Sequence, residues 1–139
     1  MRQHPDPSWV PLGRTKTVRW FGLPGEGRIL LAWPDEDAVE DRESALENRA
    51  FIEAAFSERR GGVVCFLDRV GGLDRGGREV HFGHYGEIIV GVAYVGGTPL
   101  SRAIIGFALG LRPLQSPLKI VGSLAEGLAW LGERFEEAA

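Results

Sequence analysis

The residues best placed to do chemistry lie in two glycine-rich stretches, each directly after an apolar run. Gly96-Gly97-Thr98-Pro99-Leu100-Ser101-Arg102 follows residues 88–95, and Asp68-Arg69 with the loop to Gly77 follows residues 63–67. Glycine-rich backbone entering a helix N-terminus presents N–H donors and the positive end of a dipole, an environment suited to an anion. If the two runs are strands pointing the same way, both stretches end on one edge, where open parallel sheets commonly hold ligands. Arg69, Arg75 or Arg102 could then meet a phosphate or carboxylate. The candidate ligand set is Asp68, Arg69, Arg75, Gly96, Gly97, Thr98, Ser101 and Arg102. The same glycines and threonine would also serve simply to make a tight turn and a helix cap.

Enzyme motifs fail on inspection. Gly71-Gly72-Leu73-Asp74-Arg75-Gly76-Gly77-Arg78 has the glycine spacing of a phosphate-binding loop without its Lys-Ser/Thr pair, and no dinucleotide fingerprint is present. Ser123 follows Gly122 but lacks the second glycine of a nucleophile elbow. His81 and His84 have a spacing that could share a metal on a helix, yet a zinc site needs three or four ligands. Cys65, the single cysteine, sits inside an apolar run and reads as a small buried hydrophobe. The chain is therefore expected to be no enzyme, with no cofactor and no metal.

The elements that would position these residues fit one domain. The chain has 139 residues, 44% hydrophobic and 25% charged, with a formal net charge of −3. That is ordinary globular composition, with no basic stripe for nucleic acid. No apolar run approaches the roughly 20 residues of a membrane-spanning helix, and the first residues lack the apolar core of a signal peptide, so a cytoplasmic location is expected.

Residues 1–13, with Pro5, Pro7 and Pro11, read as an irregular arm that Trp9 could pin to the body. Residues 17–22 and 28–33 should form a hairpin across Leu23-Pro24-Gly25-Glu26, a turn signal. If Trp20 and Trp33 share an exposed face with Ile29 or Leu31, the hairpin would offer a second greasy surface to a lipid or protein partner, a point the unknown register leaves open. The polar stretch 35–60 is either one helix or a loop followed by a shorter helix from about Asp41. Residues 63–67 and 88–95 have no alternation, as in strands covered on both faces. A weak helix is expected at 78–85, a helix from Pro99 to about Leu111 capped by Thr98, and a short strand at 118–121. The last helix opens with Ser123-Leu124-Ala125-Glu126, a capping box, and carries Leu124, Leu128, Leu131 and Phe135 on one face.

The helix after Pro99 carries more apolar surface than one contact uses. Leu100, Ile104, Phe107, Ala108 and Leu111 form one stripe, and Ile105 and Leu109 a second row beside Gly106 and Gly110. Glycine costs about 1 kcal/mol against alanine inside a helix, so two of them suggest close approach by another surface. Arg102, Ile105, Gly106, Leu109 and Gly110 are the candidate interface, covered by another part of the chain or by a second chain.

VAYVGGTPLSRAIIGFALGL followed by LKIVGSLAEGLAWL resembles the C-terminal half of the bacterial SpoIIAA-like proteins, relatives of the STAS (sulfate transporter and anti-sigma-factor antagonist) domains. VVCFLDRVGGLDRGGREVHF resembles the unit preceding it. The likeness covers residues 60–132 and rests on the order and spacing of elements. It implies an α/β fold of the SpoIIAA-like (STAS-like) kind, with a central mixed sheet of about five strands covered by helices. It also implies a non-catalytic binding or regulatory module, acting on a protein partner or as a homodimer. The alternative is a receptor for a nucleotide, anionic metabolite or lipid at the 68–77/96–102 edge, with an uncharacterised enzyme third. Anti-sigma-factor antagonists carry an Asp-Ser-Ser-Gly pattern whose hydroxyl is phosphorylated. Here the corresponding residues are Asp74-Arg75-Gly76-Gly77, with no hydroxyl to accept phosphate, so that control is not expected.

Overall fold

A computed structural model of the chain describes residues 4–36, 38–66, 72–81, 88–97, 99, 103 and 117–138. The expected hairpin is β2 (Val18–Leu23) and β3 (Glu26–Pro34), antiparallel, turning through Gly25. The arm is not wholly irregular. Its residues Val10–Arg14 form β1, an antiparallel edge strand on β2 with a bulge between Pro11 and Gly13. An edge tolerates proline because one side of the strand needs no donors. Trp9 does pin this segment, buried against the body.

The polar stretch takes the second of its two forms. A two-residue strand, β4 (Val39–Glu40), precedes α1 (Arg42–Ala55). Asp41 caps α1: its carboxylate accepts the Ser44 N–H at 2.8 Å, and the Ser44 hydroxyl accepts the Asp41 N–H at 3.0 Å. Next come β5 (Gly61–Phe66), β6 (Gly72–Leu73), α2 (Arg75–His81), β7 (Ile89–Val95), β8 (Leu118–Val121) and α3 (Leu124–Ala138). The helix expected at 78–85 begins earlier, because Asp74 accepts the Gly77 N–H at 2.8 Å and starts the turn there.

Six strands form the main sheet, in the order β1-β2-β3-β5-β7-β8, where about five were expected. The added strand is β1. After the antiparallel hairpin, β3, β5, β7 and β8 run parallel, with Val63 opposite Val92 and Cys65 opposite Tyr94. All six residues of β5 are buried, and all of β7 but Val92.

The two faces hold separate cores, as residues without alternation require. One gathers Val18, Trp20, Leu30, Ala32, Cys65 and Tyr94 with Ile52 and Phe56 from α1 and the residue after it. The other gathers Phe21, Leu31, Trp33, Val64, Phe66 and Ala93 with Trp9 and, from α3, Leu131. Trp20 and Trp33 are thus on opposite faces and both buried, which removes the hairpin as a greasy binding surface. Trp20 stacks on Phe51 at 4.9 Å.

Candidate functional site

Parallel β5 and β7 lie side by side, Phe66 opposite Val95, so the chain leaves both at the same rim. This is the geometry the ligand hypothesis required. At the end of β7, Gly96 and Gly97 have φ of 75° and 107°, backbone that side-chain-bearing residues rarely adopt, and the Gly96 N–H donates to the Val121 carbonyl at 3.0 Å. Arg75 opens α2 with its side chain 89% exposed, ion-paired to Glu79 one turn along. Asp68, Arg69, Thr98, Ser101 and Arg102 lie outside the described residues, as do Ile105, Gly106, Leu109 and Gly110 of the candidate interface. Pro99 and Ala103 have helical backbone, consistent with the helix expected after Thr98.

The rim is also where helices begin, and side chains of the chain itself cap them. Asp41 caps α1 and Asp74 caps α2. At α3 the Ser123 hydroxyl accepts the Glu126 N–H, while the Glu126 carboxylate takes the Gly122 N–H at 2.7 Å, one residue earlier than in the expected capping box. Acceptors from the chain itself thus already take an N–H at each of three helix N-termini, a carboxylate at α1 and α2 and the Ser123 hydroxyl at α3.

Beside the rim stands a polar cluster that was not anticipated. Thr15 and Thr17, from the β1–β2 turn, are buried and face Glu40, Ser44 and Asn48. The Glu40 carboxylate accepts from the Thr17 hydroxyl, from Ser44 Oγ at 3.1 Å, and from Asn48 Nδ2 at 3.1 Å to each oxygen. Asn48 Nδ2 also lies 3.2 Å from Thr17 Oγ1, and Asn48 Oδ1 accepts from the Thr15 hydroxyl. Trp20 Nε1 donates to Thr15 Oγ1 at 3.2 Å, and the Lys16 N–H to Glu47 Oε1 at 2.5 Å. Among the described residues, every donor on Glu40 is neutral and internal, so the cluster ties the β1–β2 turn to α1 and β4. Glu40 closes β4 while Ser44 and Asn48 sit one turn apart on α1, so the cluster joins three separate elements.

Cys65 lies beneath this cluster, its thiol pushed up to about 12 by burial and then by the Glu40 charge. It stays a neutral thiol at physiological pH and is no nucleophile in the folded chain. Among the described residues, no group of three or more His, Cys, Asp or Glu could hold a metal ion, and no helix is long and apolar enough to cross a membrane. Compared with protein-family models, curated proteins and solved structures, the chain has no match in any of the three.

Proposed function

We propose that the chain is a non-catalytic STAS-like recognition module that acts on a protein partner, in the first instance a second copy of itself. The observation that carries this reading is the order and direction of β5, β7 and β8 with α3 behind them, the element order on which the resemblance over residues 60–132 rests. A partner is favoured over a small anion because groups of the chain itself already cap the helices at the rim, Asp41 at α1, Asp74 at α2 and the Ser123 hydroxyl at α3. The surface offered is the segment after Pro99, whose sequence, read as a helix, carries a second apolar row, Ile105 and Leu109, flanked by Gly106 and Gly110. The control switch of anti-sigma-factor antagonists has no place in this module, since Asp74–Gly77 offers no phosphate acceptor.

A second reading, a small-ligand receptor at the same rim, is favoured by the left-handed backbone of Gly96 and Gly97, which lets a ligand approach main chain closely. Native mass spectrometry of the purified chain separates the two. A dimer at twice 15.2 kDa that becomes monomeric in Ile105→Glu supports self-recognition. A monomer carrying the added mass of a small molecule supports the receptor, and a bare monomer for the wild type at tens of micromolar rejects self-association.

A further inference from the structure

The edge opposite the rim, where β3, β5 and β7 begin, gathers three arginines. Arg28 is the third residue of β3, and Arg59 and Arg60 directly precede β5. Arg28 Nε and Nη2 both donate to the Arg60 carbonyl at 3.1 Å, and the guanidinium lies 4.1 Å from the centre of the Phe135 ring. Arg60 Nη2 donates to the Ile89 carbonyl at 3.1 Å. Two guanidiniums are therefore held in place by neutral acceptors and an aromatic face, and Arg59 and Arg60 are exposed. Among the described residues, none of the three makes an ion pair, whereas Arg14, Arg49, Arg75 and Arg134 each do.

That arrangement is costly by itself. Partial burial pulls the Arg28 guanidinium below its ordinary value, the like charges of Arg59 and Arg60 add to this, and Glu26 opposes it. Glu26 is the nearby acid, and its Oε1 accepts the Arg28 N–H at 2.8 Å. Concentrating cations on a chain whose net charge is −3, and orienting two of them with carbonyls instead of carboxylates, leaves their charge unmatched by an ion pair among the described residues and suits an outside anion.

We propose that Arg28, Arg59 and Arg60 form a binding site for a phosphate group at this edge. A phosphate brings close to two negative charges and several acceptor oxygens, which suits a group of neighbouring guanidiniums better than a single carboxylate does. The group could belong to a soluble phosphorylated molecule or to a lipid headgroup, and the chemistry is shared. The site is separate from the rim where a partner is proposed, and it stands or falls independently.

Calorimetric titration with pyrophosphate, and flotation with phosphatidylcholine vesicles with and without phosphatidic acid, test it. Pyrophosphate should bind, more weakly as salt rises. Arg59→Ala/Arg60→Ala should weaken it at least tenfold, while Arg49→Ala leaves it unchanged. The single substitution Arg59→Glu, at an exposed side chain, should do the same should the double variant fold poorly. Flotation only with phosphatidic acid assigns the group to a lipid, and pyrophosphate binding without flotation to a soluble compound. No binding of either probe, or binding indifferent to these substitutions, overturns the site.

Discussion

Trp9→Ala is expected to cost the fold about 3–5 kcal/mol, the range for removing a large buried ring. Trp9 is 5% exposed, and its ring centre lies 5.8 Å from Phe21, 5.7 Å from Trp33 and 5.3 Å from Phe66. Those three rings belong to β2, β3 and β5, so one side chain from outside the sheet closes the end of a core that α3 closes elsewhere. The cavity left behind is bounded by stiff aromatics that collapse poorly. β1 would suffer as well, because it is an edge strand paired only to β2, with Val10 and Leu12 half exposed. Urea unfolding followed at constant slope measures the loss. A change below about 1 kcal/mol would mean the arm is not packed as described.

Asn48→Leu should be the costliest single change in the polar cluster, at about 3 kcal/mol. Leucine keeps the volume but removes the close acceptor of the Thr15 hydroxyl, leaving it the Val18 carbonyl at 3.3 Å, and the donor shared by Thr17 and Glu40. Each buried polar group left without a partner costs about 1–3 kcal/mol. The sum stays below the full total because Ser44 still serves Glu40 and half-burial lets water reach part of the cluster. Asn48→Asp retains the shape but sets a second carboxylate against Glu40, so its deficit should be largest near neutral pH and shrink as pH falls into the carboxylate range. Equal deficits for the two variants at all pH values would contradict the arrangement.

What could be read from the residues follows from how locally each signal is written. Residues 63–67 and 88–95 announce their burial by the lack of polar positions, and residues 63–66 and 89–95 lie in the sheet interior. The hairpin has a turn signal between two apolar runs, and the last helix has its own cap and stripe. β1 had no such signature: Val10-Pro11-Leu12-Gly13-Arg14 contains a proline and a bulge glycine, and only pairing with β2 makes it a strand. α1 was legible only as one of two options, because acids at 35–37 and at 41 are equally good helix starts until Ser44 answers Asp41 across the cap. The polar cluster was illegible because Thr15 and Thr17 lie more than twenty residues from Glu40, and threonine, glutamate and asparagine on a polar helix read as solvated surface. Of the ligand candidates, the glycines at 96 and 97 were found by type, since only a residue without Cβ takes that backbone readily.

The proposals at the rim depend on β5 and β7 being parallel neighbours. Cross-strand nuclear Overhauser contacts on isotope-labelled protein test this most directly. The account predicts contacts linking Val63 with Val92 and Cys65 with Tyr94 in a parallel pattern, amide to amide and amide to Hα, with these amides among the last to exchange. Short Hα–Hα contacts between the two strands, the mark of antiparallel pairing, or rapid exchange along either one, would contradict it.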